Sequence, residues 1–404
     1  MNVKFALLVY PKFYSFRVCS AWNTMIPSLC SITWTGGRNI YDNFTVIRTH
    51  WFHRMKQRFQ IMKKYILFAI LLLVTAPHEL LAQGLNLPAK HWGLSVGNSV
   101  RFTGIRINAI EKDIQTINGV NLSVWPIRST ERQTGTFNGL GVGLPLAAGT
   151  ANRNGFSVGL LGVGAANNLK GINLGVLGVI AGNRASGINI GGLGVGSGNH
   201  LTGLNIGGLG VGSGGDVAGI NIGGLGVGSG QDVKGFSVAL LGVGAGRDMV
   251  GINLGGLGVG SGNNMTGFNF GGLGVGAGAR LSGVNLSVLA VGSGKSLIGL
   301  SVAGLATGSP DIKGMQISLV SGGNRVAGIT IAPAYFTVRM EGNQSYMKGL
   351  SISAFNHIQG QQHGVAIGVL NLAHEVKGFQ LGLLNHVGNN PRGLRWLPIF
   401  NTTF

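Results

Sequence analysis

The chain has 404 residues, 74 of them Gly, and only 10% are charged. A soluble globular domain carries about 25% charged residues and roughly 7% Gly, so this composition argues against an ordinary charge-decorated domain. Disorder fits poorly with 45% hydrophobic residues, and 10 Pro without a three-residue period exclude collagen.

The formal net charge of +19 is unevenly placed. The first 64 residues hold ten of the 30 Lys and Arg against one acid, Asp42. From Gln83 onward 20 basic and 9 acidic residues are scattered, with no run and no interleaved aromatic platform. That pattern gives nucleic-acid binding little support. Both cysteines, Cys19 and Cys30, also lie early, so disulfide scaffolds, Cys-based zinc sites and thiol nucleophiles are excluded downstream.

In chain order, residues 1–61 share nothing with the Gly-rich sequence downstream and read as an upstream extension from a frame opened too early, with translation expected to start at Met62 or, second, at Met55. Met62-Lys63-Lys64 precedes an apolar run from Tyr65 to Ala76 and then PHELLA. A basic start, a short apolar stretch and a small closing residue are the order of a secretory signal peptide, so residues 62–82 are expected to be cut after Ala82. His78 and Glu79 interrupt the segment before it reaches the roughly 20 apolar residues of a membrane anchor.

Residues 83–404 form one Gly-rich repeat domain. Gly recurs every 16 residues from Gly139 to Gly299, in units such as GLNIGGLGVGSGGDVA from Gly203 and GINLGGLGVGSGNNMT from Gly251. Strict units occupy about 139–314, with looser copies headed by Gly93, Gly104 and Gly119 before them and by Gly314, Gly328, Gly349, Gly364, Gly378 and Gly393 after. Counting the leading Gly as 1, apolar residues fall at positions 2, 4, 7, 9 and 15. The pairs 2/4 and 7/9 each have the two-residue period of a strand, and the phase changes at paired glycines such as Gly223-Gly224. Positions 10 to 14 are turn residues. Each unit is therefore expected to form two short strands, and so much Gly excludes helix at about 1 kcal/mol per residue.

A unit this small buries its side chains only by stacking on its copies. The expected fold is all-β, a Gly-rich β-solenoid of 16-residue coils, with Leu225, Leu257 and Leu273 facing a narrow apolar core. Asn173, Asn189, Asn205, Asn221, Asn253, Asn269 and Asn285 at position 3 are expected to form a ladder. The alternative is an antiparallel outer-membrane-type β-barrel, motivated by the terminal Phe404.

Chemical motifs fail on inspection. Gly210 to Gly215 satisfies G-x-G-x-x-G, but no helix is expected after it. Gly294-Lys295-Ser296 has Leu289 where a phosphate loop needs Gly, and Gly212 stands where a calcium β-roll needs Asp. Asp216, Asp232 and Asp248 read as a solvated turn row, and His357, His363, His374 and His386 as scattered surface histidines. Ice binding would need a Thr ladder, and position 3 is Asn or Ser. No catalytic, cofactor-binding or metal-ligating residue is nominated, and no cofactor.

The segments GIRIN from Gly104, GVNLSVWP from Gly119, the GINIGGLGVG units and the closing GVAIGVLNLAHEVKGFQLGLLNHVGNNPRGLRWLPIFN resemble the surface-repeat-containing proteins of leptospires and related Bacteroidetes-type sequences over about 93–404. The resemblance implies an exported, surface-associated protein without an established activity, and carries over no functional residues. The expectation is an exported non-enzymatic repeat protein, structural or adhesive, at the cell surface or outer membrane of a Gram-negative-type bacterium. The alternative is an outer-membrane pore. The partner is an unknown envelope component, and membrane association stays open.

Overall fold

The computed structural model describes residues 3–9, 12–18, 84–109, 111, 113–124, 133–341 and 345–403. The expected signal segment, residues 62–82, and the terminal Phe404 lie outside the described residues. The chain divides into two units, Met1–Pro77 and His78–Phe404. In the first, Val3–Val9 and Lys12–Val18 pair antiparallel.

The second unit is a β-solenoid. Each strict coil contributes a long arm that starts at position 14 or 15 and runs to about position 5 of the next unit, such as His200–Gly207 or Met249–Gly255, and a short arm from position 8 to about 11, such as Gly210–Ser213. Each arm pairs in parallel with the same arm one unit on: Gly203 stands beside Gly219, Asn205 beside Asn221 and Val211 beside Val227. The looser copies keep this register, Gly93 aligning with Gly104, Gly119 and Gly139, and Gly314 with Gly328, Gly349 and Gly364. The parallel ladders rule out the antiparallel barrel, and with it a pore of that construction. The turn expected at positions 10 to 14 is shorter, since 10 and 11 belong to the short arm and the chain bends at 12 and 13.

Position 1 is where geometry demands Gly. At Gly203 φ is +106°, and a Cβ there would come within 2.1 Å of the Gly187 carbonyl oxygen of the coil before. Both the backbone angle and the coil spacing therefore forbid a side chain.

The interior differs from expectation. Positions 9 and 15 are buried, as at Val227, Val233, Met249 and Leu281, together with the Asn of position 3. Leu225, Leu257 and Leu273 face outward instead, at 43%, 48% and 52% exposure. Two constraints turn them out. With Asn at 3 pointing inward, strand alternation sends 2 and 4 outward, and the bend at 6 and 7 leaves Leu on its convex side. There is also no room: a Cβ at Gly223, position 5, would meet the Gly226 carbonyl oxygen at 2.0 Å.

The Asn ladder forms as two runs. Asn173 donates from Nδ2 to Oδ1 of Asn189, Asn189 to Asn205 and Asn205 to Asn221, each at 2.9 Å. Ser237 then interrupts, accepting from Asn221 at 3.4 Å, and the second run passes from Asn253 to Asn269 to Asn285. Because every amide points the same way, each run starts with an acceptor that nothing serves, Oδ1 of Asn173 and of Asn253, and the second ends with the unserved Nδ2 of Asn285.

Both ends close with a strand of opposite direction. Leu85–Ala89 pairs antiparallel with Trp92–Val96, which starts the parallel stack. At the far end Trp396–Thr402 pairs antiparallel with Phe379–His386. Each cap strand contains a proline, Pro88 and Pro398, and neither pairs on its outer side among the described residues. Gly393, expected to head a last coil, lies instead in the 3-10 turn Arg392–Leu394 that leads into the cap.

Candidate functional surface

Burying Asn while exposing Ile and Leu gives this solenoid an apolar exterior. Positions 2 and 4 carry Ile188 and Ile190, Ile220 and Ile222, Phe268 and Phe270, all exposed by more than a third. Leu at position 7 adds a third row. From Gly155 to Ile298 every charged side chain stands at positions 13, 14 or 16, so the three rows run uninterrupted by charge. In the position-7 row every residue from Leu193 to Leu305 is exposed by 43% or more, and contiguous apolar surface beyond a few hundred Å² is rare on a monomer. No single residue is a site here. The exposed pattern repeats with the coil.

The residues singled out in the sequence have structural partners. Asp216, Asp232 and Asp248 stack on the turn, and each accepts the backbone N–H one coil on, from Asp232 at 3.3 Å, Asp248 at 3.3 Å and Asn264 at 3.0 Å. Asp232 also takes a two-pronged bond from Arg247, at 2.9 and 3.0 Å, and one from Lys234 at 3.0 Å. Arg247 chiefly, with Lys234 and the Asp248 N–H, holds its carboxyl well below the usual aspartate range.

The histidines are not brought together. His357 stacks on Phe355 with centroids 5.8 Å apart and bonds the Tyr335 hydroxyl, whereas His363 bonds Gln361. His386 packs on Trp396 of the cap at 4.5 Å, and burial, then Arg395, lowers its pKa. Among the described residues no group of three or more His, Cys, Asp or Glu gathers as a metal set would.

One cluster has no sequence motif to announce it. Arg106, Arg153 and Glu111 are buried together inside the first coils, the two arginines at 0% and 1% exposure. Arg106 donates to Asn121 at 3.0 Å and Asn98 at 2.9 Å, and Arg153 donates to the Ala148 carbonyl at 3.1 Å and lies 4.6 Å over the Phe137 ring. Glu111 accepts from Asn121 and Ser123 and stands 3.9 Å from Arg106 and 4.0 Å from Arg153. Burial lowers the pKa of both guanidinium groups, and Glu111 opposes it. The signal was in the register: Arg106 stands at position 3, where Asn is the rule, and Arg153 at position 15, where the other strict coils carry apolar residues. Both positions point inward.

Comparison with protein-family models, with curated proteins and with solved structures finds no match to this chain.

Proposed function

We propose that this chain is an exported, non-enzymatic repeat protein of the bacterial cell envelope, doing structural or adhesive work through its outer surface, as the resemblance to leptospiral-type surface-repeat proteins implies. The observation that carries this reading is the uncharged Ile and Leu exterior repeated coil after coil. An apolar area of that size marks a contact surface, and a linear array offers many equivalent contacts in a row, whose effects multiply when several engage at once. The signal-type segment at 62–82 supplies the route. Lys170 and Lys234 at position 16 border the apolar rows and suit an envelope of acidic components.

The test is fractionation of intact cells. The protein is expected with the envelope, sensitive to added protease before lysis, retained through a high-salt wash and freed by mild detergent. Replacing Ile220, Ile222 and Ile252 by Lys is expected to release it into the wash. Recovery of the native protein in the soluble cytoplasm would overturn the proposal.

A further inference from the structure

The outer face of the short arm carries glycines at position 10 that nothing in the chain requires, whereas at position 8 a Cβ would stand 2.9 to 3.8 Å from a carbonyl oxygen of the next coil. At positions 8 and 10 the residues point outward, because Val at 9 points in. None of the glycines there has the positive φ found at position 1. A Cβ at Gly228 or Gly244 would meet nothing within 4 Å, and one at Gly212 or Gly260 only an oxygen at 3.6 or 3.9 Å. The fold itself accepts side chains at these positions, since Ile180 occupies position 10 at 65% exposure and Ala290 and Ala306 occupy position 8. Intramolecular geometry thus explains Gly203 and leaves Gly228 unexplained. Glycine in a strand without an internal reason marks close approach by a group from outside the strand.

These glycines make a floor without side chains. It runs through successive coils from Gly196, is closed at one end by Ile180, and is bordered by the Leu row of position 7, including Leu209, Leu225 and Leu241. The face is a ridge beside a flat strip, free of charge along its length.

We propose that this face seats the same face of a second copy of the chain. The Leu ridge of each copy rests on the glycine floor of the other, at its far edge. The occupant's identity follows from shape and repeat. A second copy presents the same coil spacing of about 4.8 Å, so every Leu meets an equivalent stretch of floor, and a ridge beside a floor complements itself under a two-fold axis. The floor and ridge over about eight coils cover on the order of 700 Å² per copy, against about 800 Å² per partner in a standard interface.

The geometry also fixes direction. An axis along the solenoid places the ridges on opposite edges, where they interlock. An axis across it sets ridge against ridge. The two copies therefore run parallel, with each coil facing its own counterpart. This contact does not depend on the envelope role, and it leaves the Ile rows of positions 2 and 4 free.

The full chain, purified without detergent, is expected to have twice the chain mass by light scattering at about 10 μM. Replacing both Gly228 and Gly244 by Tyr fills the floor without touching the coil, and is expected to weaken the dimer by at least about a hundredfold with the circular dichroism unchanged. A second measurement needs no disruption. With Cys19 and Cys30 replaced by Ser, the single substitutions Gly196→Cys, Gly228→Cys and Gly260→Cys are each expected to cross-link to themselves with a short bis-maleimide. A monomeric parent chain overturns the proposal, as does a Tyr variant that stays dimeric. Cross-linking at only one of the three heights overturns the parallel arrangement. A monomer that binds lipid vesicles until the Tyr pair is introduced would assign the floor to lipid and also overturn it. Failure of envelope fractionation would leave all these outcomes unchanged.

Discussion

Arg153 fills the space that Gly141 leaves empty. Gly141 stands in the position-3 column that holds Asn in most strict coils, and a Cβ on it would lie 2.5 Å from Nη2 of Arg153. An inward cation displaces the ladder amide two coils before the Asn run begins. The arrangement buries two cations with one anion, and removing one partner of a buried pair typically costs about 3–5 kcal/mol. Glu111→Ala is therefore expected to lower stability by about that amount in urea melts. Replacing Arg106, Glu111 and Arg153 together by Asn, Gln and Leu should restore most of it.

The two Asn runs meet at Ser237, whose hydroxyl is too short to reach the free Oδ1 of Asn253. Ser237→Asn would accept from Asn221 and donate to Asn253, joining both runs. A gain of about 1 kcal/mol is expected, the net worth of a hydrogen bond that also serves a buried orphan. Asn205→Leu should act oppositely, stranding Asn189 Nδ2 and Asn221 Oδ1, at about 1–3 kcal/mol for each.

Glycines of position 1 and position 10 should answer substitution differently. Gly203→Ala places a Cβ at positive φ against the Gly187 carbonyl, and a loss of more than about 2 kcal/mol is expected. Within a single chain Gly228→Ala meets open space, and in melts run dilute enough to keep the chain monomeric it should change stability by less than about 0.5 kcal/mol. Thermal melts of the pair measure the contrast.

Asp232 gives the turn an acid sensitivity. Its folded pKa is depressed by Arg247 and Lys234 below the ordinary value of 3.8. A carboxyl of that kind contributes stability that is fully present above the unfolded pKa and lost as pH falls below it. Below about pH 4 the parent should therefore lose stability faster than Asp232→Asn, and the two curves should converge with acid.

Deleting the whole unit Gly219 to Lys234 should leave a folded protein one coil shorter, because coils contact only their neighbours. Deleting Gly226 alone should misalign every ladder beyond it. Scattering profiles and melts of the two variants test this, and loss of folding only in the first would contradict it.

Period, strand content, parallel stacking and the Asn ladder were legible in the sequence because one fixed spacing dictated them all. The inside and outside of the coil were not. Leu225 reads as core by hydrophobicity alone, yet a 16-residue coil brings the Gly226 carbonyl so close to Gly223 that no Leu fits within. Once Asn221 points inward, alternation sends Ile220 and Ile222 outward, whatever their polarity. The apolar surface thus follows from the ladder. Arg106 and Arg153 could have been found by asking which inward register positions break the rule.

Pro88 and Pro398 sit in the two strands that close the stack, where a proline lacks the N–H that an added strand would need. Growth by edge addition is thereby discouraged at both ends, although every coil between them is a template for the next. The protein is in this sense a ruler with stops. Its length is counted out in units of about 4.8 Å by the number of repeats in the chain, and a gain or loss of whole units would recalibrate it while leaving each graduation the same.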